Sequence, residues 1–376
     1  MKIVYCILGT FNSGGMERVL ANKANYLAQL GVEVTIITSD QNNRKPYFDL
    51  DQRINQIDLG INYTENNNSG LLKKLFAYPK KQALHKKKLE EHLKSIKPNI
   101  TISLFDHEVD LLPKIDDGSK KIVEIHFSRF KRMQYGRTGI WRLIDQFRSK
   151  RDLRIVQEYD KFVVLTEEDK AYWGEIPNIV VIPNANSFQI QEKSNLDSQK
   201  VIAVGRYDYQ KRFEDLIESW KIVQQKEPNW QLNIYGKGPE KDALQQLIDH
   251  SLLNDSVFLR EPVRDIDKKY SESSLIVMTS RYEGLPMALL EGQAAGLPMV
   301  SYACKCGPRD IIKEGVNGFL LEEGDKEGVA NKILTIIRDK ELRDEMGRNS
   351  FEMSKNFSEE VVMNKWIQLF NQTLAN

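Results

Sequence analysis

Glu283 and Glu291 lie eight positions apart in residues 280–296, SRYEGLPMALLEGQAAG, and both could grip hydroxyl groups. The continuous apolar run 275–278 precedes them, as in a strand buried on both faces. Pro286 suits the first position of a helix and Gly296 its left-handed stop. Glu283 and Gly284 then fall in a short loop, with Glu291 about 7.5 Å along the helix axis from Pro286, at roughly 1.5 Å per residue. Free N–H groups and the helix dipole favour negative charge at a helix N-terminus. A phosphate held there would have one carboxylate on each side, a layout that suits the sugar, diphosphate and ribose of a sugar nucleotide. The same residues also make an ordinary strand–helix unit with two solvated glutamates, so this stretch alone leaves both readings open.

The chain has 376 residues, which points to two domains, and its composition (41% hydrophobic, 28% charged) is that of a soluble globular protein. No apolar run approaches the roughly 18 residues of a membrane span. The opening MKIVYCILGT is too short for a signal peptide, and Gly14, Gly15 and Glu17 follow where a cleavage site would fall, so it reads as a buried first strand. Cys6, Cys304 and Cys306 make no disulfide framework and imply a reducing, cytoplasmic setting. Cys304 and Cys306 lack a second ligand pair for structural zinc.

The net charge of +1 conceals an asymmetry: residues 1–175 carry 29 Lys/Arg against 23 Asp/Glu, and the remainder 25 against 30. Residues 73–97 hold nine Lys and two Glu, and residues 129–154 hold nine Lys/Arg and two Asp. One such run reads most simply as a solvated helix face. Two in the same half, with Leu71, Leu72, Leu75 and Phe76 beside one and Phe130, Met133, Tyr135 and Trp141 in the other, point to an anionic membrane surface. No recognition-module pattern accompanies the charge, which argues against nucleic acid.

The elements that would position these residues alternate along the chain. Residues 2–8 and 32–38 read as strands around a helix from Met16 to about Leu30, with Gly14 and Gly15 at its start. The dinucleotide fingerprint G-x-G-x-x-G is missing, which disfavours a hydride-transfer enzyme. A short strand at 54–59 precedes a helix over 71–96 that Pro79 should break or kink. Strands at 99–105, 121–127, 161–165 and 179–182 follow. Asp106, His107 and His126 fall at strand carboxyl ends, where open α/β sheets hold their ligands. Residues 187–199 are polar and without periodicity. A second series then begins, with strands at 201–204, 231–235, 257–260, 275–278 and 299–302. A final helix over 357–374 has Ser358 as its cap. The fold class is α/β, with two doubly wound Rossmann-like domains at 1–184 and 185–357, and the helix 358–376 packing back on the first.

Several ordered motifs accompany Glu283 and Glu291: Val204-Gly205-Arg206 with Lys211, Tyr235-Gly236-Lys237-Gly238-Pro239, Gly307-Pro308-Arg309-Asp310, Gly315-x-Asn317-Gly318, and Gly14-Gly15-x-Glu17-Arg18. Together they resemble the retaining glycosyltransferases of family 4, over nearly the whole chain. The resemblance implies the GT-B fold, in which two Rossmann-like domains face each other across a cleft. It implies that Arg206 and Lys211 clamp the donor diphosphate, and that Glu283 holds hydroxyls of the donor sugar. Gly284 and Leu285 would offer N–H groups to the distal phosphate, and Glu291 would grip the ribose. Gly236, Gly238 and Arg260 would frame the base, while Gly14 and Gly15 would let donor phosphate and acceptor approach the backbone. His126 stands where the family often has a histidine facing the reacting sugar, though its neighbours match loosely. Asp106 and His107 are acceptor-side candidates, for which a structural role is the simpler reading.

Asp265-x-Asp267 and Asp49-x-Asp51 match the metal-binding pattern of another glycosyltransferase fold, but a helix cap explains Asp265, and neither pair lies near the inferred diphosphate site. No metal or other cofactor is expected; the nucleotide diphosphate sugar is a co-substrate. The expected reaction moves a hexose or N-acetylhexosamine, on UDP in preference to GDP, to a lipid-linked or polysaccharide acceptor with retention. The expected location is the cytoplasmic face of the membrane, as a peripheral protein. A nucleotide-sugar epimerase and a non-catalytic binding subunit are the alternatives.

Overall fold

Short apolar runs flanked by loops and amphipathic helices form two parallel sheets, each covered on both faces. The computed structural model describes residues 1–66, 71–129, 138–186 and 192–375. They divide into one unit of Met1–Leu165, Lys170–Ile182 and Met363–Asn376, and another of Thr166–Asp169 and Pro183–Val362.

In the first unit, β1 (Lys2–Ile7) leads through α1 (Gly15–Gln29) to β2 (Glu33–Thr38) and β3 (Asn55–Asp58). Next come α2 (Leu71–Ile96), β4 (Ile100–Ser103), β5 (Lys120–Glu124), α3 (Ile140–Val156), β6 (Lys161–Val164), α4 (Glu167–Trp173) and β7 (Ile179–Val181). Among the described residues the sheet order is β3-β2-β1-β4-β5-β6-β7, all parallel. Ile3 of β1 lies between Val34 of β2 and Ile100 of β4. The chain winds outward from β1 to β3 and then returns to β4, so β1 and β4 flank a switch point.

The second unit repeats the device with β8 (Lys200–Val204), α5 (Phe213–Lys226), β9 (Gln231–Tyr235), α6 (Lys241–His250), β10 (Val257–Arg260) and α7 (Ile266–Ser271). It continues with β11 (Leu275–Met278), α8 (Met287–Ala294), β12 (Met299–Tyr302), α9 (Pro308–Ile311), β13 (Gly318–Leu321), α10 (Lys326–Arg338) and α11 (Lys340–Ser354). The order β10-β9-β8-β11-β12-β13 puts the switch point between β8 and β11. Both faces of these strands are covered, which is why β11 reads as an unbroken apolar run, although Gln231 and Asn233 interrupt β9. On one face α5 buries Phe213, Leu216, Ile217, Trp220 and Val223, and α10 buries Val329, Ile333 and Ile336. Each fully buried aliphatic side chain stabilises by about 1.5–3 kcal/mol before the entropy of ordering it is counted. The last helix, α12 (Glu359–Ala375), belongs to the first unit from Met363 onward.

Two local expectations need correction, and of the break or kink expected at Pro79 the break is absent: the helix α2 runs through that residue without ending. One missing hydrogen bond is tolerated because Leu89 and Leu93 anchor its later turns in the core, fully buried. Pro286 stands just before α8 rather than inside it, with ψ at 104°. Asp265 precedes α7, but its side chain makes no capping bond. Its φ of −93° and ψ of 47° depart from the extended conformation that aims a cap at the helix N–H groups. Gly31 and Gly296, at φ +80° and +73°, end α1 and α8 as left-handed residues. Phe130, Met133 and Tyr135 lie outside the described residues, as do the side chains of Leu71, Leu72, Leu75, Phe76 and Trp141.

Candidate functional site

In the second unit, the loops that leave β8 and β11 at their carboxyl ends are tied to each other. Arg212 takes a left-handed backbone (φ 52°) and turns the β8 loop into α5. The Thr279 hydroxyl donates to the carbonyls of Lys211 and Arg212, at 3.2 and 3.1 Å. Gln210 Nε2 donates to the Tyr282 carbonyl at 2.9 Å, and the Arg281 N–H to the Gln210 carbonyl at 2.8 Å. These bonds fix the backbone on both sides of the switch point.

Across it, Lys211 Nζ donates to Glu283 Oε1 at 2.6 Å, with the two side chains 18% and 8% exposed. The lysine stem lies along Gly205, where a Cβ would sit only 3.0 Å from three of its carbons. Arg206 leaves the same strand but turns outward, 71% exposed, with Nε 3.6 Å from Asp208 Oδ2. Lys211 and Glu283 are therefore brought together, and Arg206 faces solvent.

The start of α8 adjoins this pair. The Glu283 N–H donates to the Lys305 carbonyl at 3.2 Å, while the N–H groups of Gly284, Leu285, Met287 and Ala288 meet no acceptor among the described residues. The loop after β12 closes over Pro286: Gly307 has φ +97°, and a Cβ there would lie 2.3 Å from Pro286 Cδ. Glu291, on the buried side of α8, accepts a hydrogen bond from the Tyr270 hydroxyl at 2.8 Å. Two buried carboxylates and a set of unsatisfied N–H groups thus flank one helix start. Such an arrangement binds an anion that also carries hydroxyls.

Gly236 and Gly238 are required by packing. A Cβ on Gly236 would stand 1.9 Å from the Gly205 carbonyl oxygen, and one on Gly238 2.2 Å from that of Tyr207. The Tyr207 hydroxyl donates to the carbonyls of Ile234 and Arg260, both at 2.8 Å, and knits the ends of β9 and β10. Burial pushes that phenol well above its usual range. The Arg260 guanidinium lies over Phe258 and donates through Nε to Asn233 Oδ1 at 3.2 Å.

In the first unit, Gly14 immediately precedes α1 and Gly15 is its first residue. Asp106 and His107 are built into the scaffold. Phe105, left-handed at φ 62°, turns the chain after β4 so that Asp106 Oδ2 accepts the Leu8 N–H at 2.8 Å. The His107 ring stacks on Tyr63 with centroids 3.8 Å apart, and burial lowers its pKa.

His126 follows β5 with its ring nitrogens turned inward, Nε2 at 3.6 Å from Glu124 Oε2. The same carboxylate oxygen takes the Lys23 ammonium at 2.5 Å, and Trp366 of α12 lies over that ammonium with its ring centroid at 3.9 Å. Burial works against the Glu124 charge, but Lys23 and His126 outweigh it and bring its pKa down to about 2. This buried pair was not anticipated. The available signal was a lysine on the apolar face of α1, among Leu20, Ala24 and Leu27, and a glutamate inside the apolar run of β5.

Neither aspartate pair gathers into a metal centre. Asp51 is held by Arg53 at 2.6 Å, and among the described residues no three His, Cys, Asp or Glu side chains converge as metal ligands.

Two parallel Rossmann-like sheets, each with loops gathered at a switch point, define the class as GT-B. The same fold is seen in a Staphylococcus aureus TarM mutant solved with UDP, fondaparinux and alpha-GlcNAc-glycerol: the TM-score is 0.81 at 19% identity, covering 98% of this chain and 99% of that one. Residues 13–185 match the Glycosyltransferase Family 4 model, and residues 185–353 the Glycosyl transferases group 1 model. An uncharacterized glycosyltransferase of Haemophilus influenzae is 31% identical over 97% of this chain and 98% of its own. The amylovoran biosynthesis glycosyltransferase AmsD of Erwinia amylovora is 27% identical over 98% and 99%. The chain belongs to this glycosyltransferase family.

Proposed function

We propose that the protein transfers a hexose or N-acetylhexosamine from a nucleotide diphosphate sugar, UDP in preference to GDP, to a lipid-linked or polysaccharide acceptor with retention. The observation that carries this reading is the Lys211–Glu283 contact across the β8/β11 switch point, beside the unsatisfied N–H groups at the start of α8. Lys211 and Arg206 take the diphosphate, and the N–H groups of Gly284 and Leu285 meet its distal phosphate. Glu283 holds sugar hydroxyls, Glu291 the ribose, and the Gly236–Gly238 turn with Arg260 borders the base. Gly14, Gly15 and His126 belong to the acceptor and the reacting sugar. To reach the sugar, His126 would turn its ring away from Glu124, whose Oε2 lies 3.6 Å from its Nε2.

Chemically, departure of the diphosphate is the barrier. Two cations and a helix start stabilise the charge that develops there, which makes a divalent metal unnecessary. The leaving phosphate takes the acceptor proton on the same face as attack, so no separate protein base is needed. The UDP bound by TarM supports the choice of base, and the role of AmsD in amylovoran synthesis supports a bacterial surface polysaccharide as the product. The experiment is a transfer assay with candidate UDP- and GDP-sugars, read for the anomeric configuration of the product.

The acceptor end of the reading includes a membrane. No helix among the described residues is long and apolar enough to cross one. On α3, however, Leu143 and Phe147 stand one turn apart, 64% and 70% exposed. Lys150, Arg151 and Arg154 follow along the same side, so the helix offers apolar anchors beside basic residues. The protein should bind vesicles containing phosphatidylglycerol, and less so as salt rises. The double change Leu143→Ser and Phe147→Ser should weaken that binding by about tenfold or more. Equal binding by the variant, or none by the wild type at low salt, would remove the membrane from the reading.

A further inference from the structure

Glu291 cannot orient itself. A buried carboxylate on a helix can rotate about its side-chain torsions, and each rotamer presents its oxygens differently to a ribose. The Tyr270 hydroxyl helps to set that orientation, donating to Glu291 Oε2 at 2.8 Å. Tyr270 is fully buried on α7, so the packing around its ring restricts where its oxygen can lie. A charged acceptor makes the bond stronger than a neutral one. The site also connects two sides of the nucleotide. Tyr270 lies on the helix that follows β10, whose last residue, Arg260, borders the base, and Glu291 lies on α8, whose start faces the phosphate.

We infer that Tyr270 is a positioning residue for ribose recognition, acting through Glu291 rather than by touching the nucleotide. The inference rests on the proposed assignment of Glu291 to the ribose. It goes beyond that assignment by naming what holds the carboxylate in a productive orientation. Ordering the side chain before binding removes a cost that the ligand would otherwise bear. Loss of the hydroxyl should therefore fall on affinity for a ribose, not on the chemical step.

The test measures binding of UDP, GDP and their 2′-deoxy counterparts to the wild type, Tyr270→Phe, Glu291→Gln and the double variant. The wild type should prefer the ribonucleotide, and Glu291→Gln should abolish that preference. Tyr270→Phe should reduce it by about tenfold, as expected for a hydrogen bond to a charged group. Inhibition by inorganic pyrophosphate should stay unchanged, as should kcat at saturating donor within about twofold. Adding Tyr270→Phe to Glu291→Gln should then have no further effect on ribose preference. Should the phenylalanine protein be unfolded at the assay temperature, the same titrations are read at a lower temperature.

Full ribose preference in the Tyr270 variant, or equal losses toward ribonucleotide and pyrophosphate, would overturn the positioning role. If instead Glu291→Gln keeps its ribose preference, or the wild type has none, the ribose assignment of Glu291 itself is wrong.

Discussion

Replacing Lys211 with alanine is expected to lower kcat by about 10²–10³-fold, the usual loss when one preorganised stabiliser of transition-state charge is removed. Its ammonium is held at 2.6 Å from Glu283 and is mostly screened from solvent, so no reorganisation precedes its use. The same change leaves the Glu283 carboxylate buried without that cation, close to the proposed diphosphate site. Donor affinity should therefore also fall. Lys211→Arg should not rescue turnover, because the planar fork is wider than an ammonium. Steady-state kinetics on folded variants checks this, and near-normal turnover in Lys211→Ala would remove the residue from the mechanism.

The second large effect concerns stability. Lys23→Met should destabilise the first unit by about 3–5 kcal/mol, because it strands the Glu124 charge in a site that is 1% exposed. The double variant Lys23→Met/Glu124→Gln should recover much of that loss, since it removes both charges. The pair also gives the protein an acid limit. Glu124 has its folded pKa lowered to about 2 from an ordinary 4.5, so its contribution is present above pH 4.5 and is lost as pH falls toward 2. His85, brought down to about 4 by burial first and by His107 second, acts in the window above that. Unfolded histidine takes a proton below about 6.5, and the folded one resists until about 4, so stability falls as pH drops through that range. Thermal unfolding at several pH values measures both. An unchanged midpoint in Lys23→Met would show that the ion pair has no stabilising role.

Much of the fold could be read from the chain because its strands are buried on both faces. Residues 201–204 and Leu275–Met278 are apolar runs closed by loops. The continuity of α2 could not be read that way, because Pro79 is a local signal and its tolerance depends on distant packing of Leu89 and Leu93. For the candidate site, the residue types were legible and their mutual geometry was not. Residues 206, 211, 283 and 291 are ordered motifs, but which of them meet depends on β8 lying beside β11. That adjacency brings Lys211 to Glu283 while Arg206 faces solvent. Lys23 with Glu124 and Tyr270 with Glu291 are pairs between elements distant in sequence. Tyr270, four residues after Ile266 on a short helix, resembles any core aromatic until its hydroxyl is placed.

The most direct measurement is the anomeric configuration of the transfer product by ¹H NMR, with UDP- and GDP-sugars supplied in EDTA-containing buffer. An α-linked donor should give an α-linked product at an undiminished rate. A β-linked product, a requirement for added divalent metal, or epimerised donor formed without any acceptor would contradict the metal-free, same-face transfer assigned to Lys211, Arg206 and the start of α8.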